Sequence, residues 1–79
     1  MEYTLENLEE YVRKEFSLDD FKYVMDILNM YGVEPGEPHR IRVQFAIVKL
    51  SECDVKRLLY YVERAKRDYR DVICEAENS

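Results

Sequence analysis

The residues able to do chemistry in this 79-residue chain are few, and their spacing assembles no reaction centre. The single His39 follows Pro38, and no Ser, Cys or Thr nucleophile lies at a spacing that would make the imidazole its base. It is read as a surface histidine. The paired acids Glu9–Glu10 and Asp19–Asp20 are candidates for metal ligation or acid–base work. Adjacent helical residues diverge by about 100°, however, so each pair reads as a solvated face. Cys53 and Cys74 have no nearby histidine, which excludes a zinc site or redox pair by spacing. The loop GVEPGEP lacks the Gly-rich spacing and Lys-Ser/Thr of a phosphate cradle. No catalytic, cofactor-binding or metal-binding residue is assigned, and no cofactor is implied.

One constellation has the right composition for recognition. Tyr60 lies on the polar side of the last predicted helix, close to Lys56, Arg57, Arg64 and Arg67. Tyrosine among arginines is favoured at protein interfaces. The competing reading is a solvated face whose charges pair along the helix, Glu63 with Arg67, Arg64 with Asp68 and Arg67 with Asp71. Nucleic acid would find basic residues there, but acids interrupt them and the isoelectric point is about 4.8.

The elements that position this face follow from hydrophobic spacing. Val55, Leu59, Val62, Lys66, Tyr69, Ile73 and Ala76 recur at steps of four and three, and Leu58, Ala65 and Val72 widen the stripe. Ser51 with Asp54 is a capping-box-like start. A helix over 52–76, about 38 Å long, is predicted as the spine. On such a helix the two cysteines stand about 31 Å apart, far beyond disulfide reach, and both lie off the stripe. Lys66 is the charged member of the seam, expected to snorkel or to meet an acid such as Glu15.

Upstream, Thr4 caps a helix over 5–15 with Leu5, Leu8, Tyr11, Val12 and Phe16 at helical spacing. Ser17 and Asp20 start a second helix over 18–31, its face marked by Leu18, Phe21, Val24, Met25, Leu28 and Tyr31, with Gly32 at a left-handed cap. Tyr11, Tyr31 and Tyr69 are placed at the boundary of the core. Pro38 suits the first turn of a third helix. The segment after it is ambiguous. Ile41, Val43, Phe45 and Ile47 alternate as in a strand, whereas helical projection puts Ile41, Phe45 and Val48 opposite Val43, Ala46, Ile47 and Leu50. A solitary strand would need pairing between subunits, so a helix over 38–50 pressed between two layers is preferred.

The fold expected is all-α, a single domain over 1–79 with four helices and a long C-terminal one. Residues 1–38 hold ten acids against three bases, and residues 39–79 nine bases against seven acids. Such asymmetry brings the halves together within the chain or across a two-fold axis, and a homodimer is expected on that ground, on the length of the last helix and on the two apolar faces of the third. No membrane span or signal peptide is evident, so a cytoplasmic protein is the simplest reading.

Pro38-His39-Arg40-Ile41-Arg42 and Ala65-Lys66-Arg67-Asp68-Tyr69-Arg70-Asp71-Val72 resemble the C-terminal half of small uncharacterised bacterial helical proteins. The resemblance implies a compact helical domain and carries over no functional residue. The functional expectation is a non-catalytic module for self-association or for binding another protein. The alternative is a small regulator touching nucleic acid through the basic side of the last helix.

Overall fold

A computed structural model describes residues 2–78, and within them the chain is all-helical. Thr4 accepts a hydrogen bond from the Asn7 backbone N–H at 3.1 Å and opens α1, Leu5–Glu15, which buries Leu8 and Val12. A hydroxyl one residue before the first turn satisfies a donor the helix itself cannot. Ser17 donates to Asp20 at 3.1 Å, but the segment it opens, Leu18–Asp20, is a 3₁₀ turn; α2 is shorter than expected, Phe21–Leu28. Leu18 is exposed, and Tyr31, placed by spacing at the core boundary, is fully buried with its hydroxyl donating to the Pro38 carbonyl at 2.8 Å.

Gly32 takes φ of 103°, and a Cβ there would lie 2.5 Å from Cγ of Arg40, so only glycine fits where the loop meets the next helix. That helix, α3, runs Arg40–Ser51 and does not begin at Pro38, because His39 adopts the left-handed region at φ 55°. Of the two readings of this segment, the helix holds. Its strand-like alternation arises because it is covered on both sides. Val43 and Ile47 are buried, and so are Phe45 and Val48 on the opposite face. α3 packs against α1, α4 and α5 and forms the centre of the fold. Gln44, also buried, donates to the carbonyls of Leu28 at 2.7 Å and Tyr31 at 3.2 Å, tying α3 to the end of α2.

Ser51 is not the cap of the last helix. It is the final residue of α3, its hydroxyl donating back to Val48 O at 2.7 Å. Glu52 and Cys53 both turn left-handed, and Asp54 accepts from the Lys56 N–H at 2.8 Å to open α4, Val55–Arg67.

The continuous helix expected over 52–76 is two helices. At Asp68 the backbone is extended (φ −156°, ψ 98°), and its carboxylate accepts the Arg70 N–H at 3.1 Å to cap α5, Tyr69–Glu77. An Asp side chain competes with the i−4 carbonyl for backbone donors, which ends one helix and begins another without Gly or Pro. The break folds α5 back onto α3, where Val72 and Ala76 are buried. The molecule measures 30 × 26 × 26 Å, so no 38 Å rod protrudes to call for a dimer. Both apolar faces of α3 are covered within the chain.

The seam of α4 is also rotated from its expected line. Leu58, Tyr61, Val62 and Ala65 are buried, whereas Leu59 is 42% exposed and Lys66 stands at the rim. Lys66 meets Glu37 at 2.8 Å, not Glu15, and also donates to Met30 O at 2.9 Å. Glu37 is only 8% exposed. Its other carboxylate oxygen accepts the N–H groups of Gly32 at 2.8 Å and Val33 at 3.2 Å, so one side chain binds the loop to α4.

Candidate functional site

α4 carries five basic residues and one acid in a chain of net charge −5. Its N-terminal cap and buried seam fix which of them reach solvent. Tyr60 is 56% exposed, as the helical projection places it, and Leu59 stands exposed beside it. Lys56, Arg57 and Arg67 are exposed along the same helix, and Arg64 is half-buried.

The five candidates divide by what their heads touch. Arg57 donates to Leu50 O at 3.1 Å and lies 3.5 Å from Glu52, so it closes the C-terminal end of α3, where carbonyls lack partners and the dipole favours a cation. Arg64 reaches across to α5 and pairs with Glu75 at 2.8 Å, in place of the Asp68 partner that spacing along one helix suggested. The same carboxylate accepts the Tyr61 hydroxyl at 2.7 Å. These two bonds, that of Tyr61 foremost, hold the Glu75 carboxyl below its ordinary range, and the bond to Glu75, with burial, pushes the Tyr61 phenol up. Arg64 also lies 5.8 Å from the centres of both the Tyr60 and Tyr61 rings, and the rings meet edge-on at 5.1 Å. Lys56 and Arg67 make no side-chain ion pair with the described residues. Arg57 and Arg64 are therefore committed to holding the fold, and Lys56, Tyr60 and Arg67 are presented outward.

Sequence spacing missed the Tyr61–Glu75–Arg64 cluster because it required α5 to fold back. Part of the signal was present: Leu58, Tyr61, Val62 and Ala65 fall at i, i+3, i+4 and i+7.

A concavity lies between the N-terminal segment, α1, α3 and α5. It holds about 220 Å³ and is lined by Tyr3, Tyr11, Phe45, Ala46, Ile73 and Ala76, with Arg42, Lys49 and Glu77 at the rim. Tyr11 stacks on Phe45 at 5.6 Å and Tyr3 meets it edge-on at 5.3 Å. The rim cations are engaged, Arg42 with Glu77 and Lys49 with Ala76 O at 2.7 Å.

The remaining chemically able residues are scattered. His39 is exposed, its ring 5.7 Å from that of Tyr69. Cys53 and Cys74 are free and exposed. Desolvation and the neighbouring Glu15 carboxylate push the Cys53 thiol up, which lowers its thiolate fraction. Among the described residues no three His, Cys, Asp or Glu side chains converge on a metal site, and no helix is long and apolar enough to cross a membrane.

No family model matches this chain, and no curated protein or solved structure was found to be similar to it.

Proposed function

We propose that this chain is a non-catalytic protein-interaction module whose binding surface is the outer face of α4. The observation that carries this reading is the exposure of Tyr60 on the side of α4 that bears Lys56 and Arg67, with Leu59 exposed on the adjoining side and the charges of Lys56 and Arg67 making no ion pair with the described residues. An apolar and aromatic centre with a charged margin matches the anatomy of protein interfaces, where tyrosine and arginine supply most of the energy. Two free, exposed cysteines suit a reducing compartment such as the cytoplasm. Nucleic-acid contact through the same helix is the weaker reading, because Arg57 and Arg64 are committed within the molecule and the net charge of −5 opposes a polyanion.

The test is affinity enrichment from native extract with the wild-type chain, Tyr60→Ala and Arg67→Glu in parallel. A protein retained by the wild type and lost from both variants, with unchanged circular dichroism, supports the interaction reading. Salt-sensitive binding of DNA or RNA at physiological ionic strength, abolished by Arg67→Glu, would replace it with the nucleic-acid reading.

A further inference from the structure

We infer that the α4 face recognises a second copy of this chain, whose complementary surface is the acidic, apolar strip along the 3₁₀ turn and α2. The inference rests on the interaction reading of α4 and adds the partner. Of the eight large apolar side chains exposed among the described residues, five lie on these two strips: Leu18, Tyr23 and Met30 on one, Leu59 and Tyr60 on the other. The strips carry opposite charge. Residues 18–30 hold Asp19, Asp20 and Asp26 against Lys22, and α4 presents Lys56 and Arg67, which no ion pair with the described residues engages, against Glu63.

The strips are also neighbours. α2 packs directly on α4, and Lys66 donates to the Met30 carbonyl at 2.9 Å, which marks where they meet. Tyr23 is exposed on α2 and Leu59 on α4, the two helices that this junction joins. A patch with an acidic half beside a basic half, each bearing exposed apolar groups, is complementary to itself under a two-fold rotation. That rotation lays α2 of one protomer over α4 of its partner, so that Leu18 and Tyr23 cover Leu59 and Tyr60 twice. A stable dimer needs about 800 Å² from each partner. The protomer exposes 5130 Å², so the interface takes about a sixth of its surface.

Sedimentation velocity from 1 to 100 µM, with reductant, tests the arrangement. The expected result is a concentration-dependent rise from 9.6 kDa to twice that mass, reversed toward monomer by 1 M salt. Reversing Lys56 and Arg67 to Glu should weaken association roughly tenfold or more, and so should reversing Asp19 and Asp26 to Lys. Combining all four reversals should restore it, an outcome that general damage to the fold does not give. Glu10→Lys, on α1 outside the patch, should leave association unchanged.

A constant mass of 9.6 kDa throughout would overturn the inference. So would a dimer insensitive to either pair of reversals, which would place the contact on another face. If the chain is monomeric yet still loses a different protein through Tyr60→Ala, the second copy is refuted and the interaction reading stands. If that complex is also indifferent to Tyr60→Ala, both fall.

Discussion

Glu37→Gln isolates the charge that binds the loop to α4 while keeping the side chain's size and one acceptor oxygen. In the wild type Glu37 lies 2.8 Å from Lys66 Nζ and accepts backbone N–H groups of Gly32 and Val33. Breaking a fully buried ion pair costs about 3–5 kcal/mol, and a hydrogen bond to a charged group contributes about 1.5–3 kcal/mol. The Lys66 side chain is 33% exposed and can rehydrate, which favours the lower range, about 2 kcal/mol. For a domain of this size each kcal/mol moves the thermal midpoint by about 4–8 °C, so the variant should melt about 8–16 °C lower at pH 7. The bond to Lys66 and then the backbone donors hold the folded carboxyl below its reference value of 4.5. The stabilisation is therefore complete above that value and is lost as pH falls through the lower folded value. Melting curves followed by circular dichroism from pH 7 to pH 3 should show the two proteins converging on the acid side. A gap under about 2 °C at pH 7, or one that stays constant to pH 3, would refute this account of the loop.

Leu58→Ala should cost about 2–5 kcal/mol in urea unfolding because Leu58 is fully buried, whereas Leu59→Ala should cost under about 1 kcal/mol because its side chain already meets water; equal losses would put the seam of α4 elsewhere. Asp68→Ala removes the cap shared by the break and should cost about 1 kcal/mol in the same assay, with Asp68→Asn retaining most of the stability. Burial foremost, with the nearby Glu37 carboxylate, pushes the Tyr31 phenol up to about 12, so the folded state keeps a proton that the unfolded chain releases near 10. Stability should accordingly fall between pH 10 and 12, and Tyr31→Phe should flatten that fall in alkaline titrations of the unfolding free energy.

The amphipathic pattern made α1 legible to its ends, since Thr4 and the spacing of Leu8 and Val12 agree with the observed boundaries. For α3 the pattern was a poor guide: a helix buried on both faces shows weak amphipathicity, and Gln44 in its interior looks polar until its partners, the Leu28 and Tyr31 carbonyls, are known. The last segment failed in a different way. Its nine apolar positions span a stripe wide enough to admit two seams, and the choice between Leu58 and Leu59 depends on where α2 and α5 lie. Asp68 followed three residues later by Asp71 repeats the spacing of Ser17–Asp20 and Ser51–Asp54, so the break had a local signal. Of those three, Ser51 points the wrong way because it sits inside α3 and bonds backward to Val48. The outward placement of Tyr60, Lys56 and Arg67 followed from the helical projection alone. The commitment of Arg57 and Arg64 did not, because Leu50 O and Glu75 belong to other elements.

The fold-back at Asp68 has a consequence for synthesis. One side of the central helix α3 is covered by α5, whose last residue, Glu77, is made roughly 26 residues after Ser51. At about 5–20 residues per second, a nascent chain carries that apolar side uncovered for about 1–5 s. Until α5 is made, that side of α3 lacks the helix that packs on it. Substitutions that weaken α5 should thus depress the yield of folded protein during translation more than refolding from denaturant reveals.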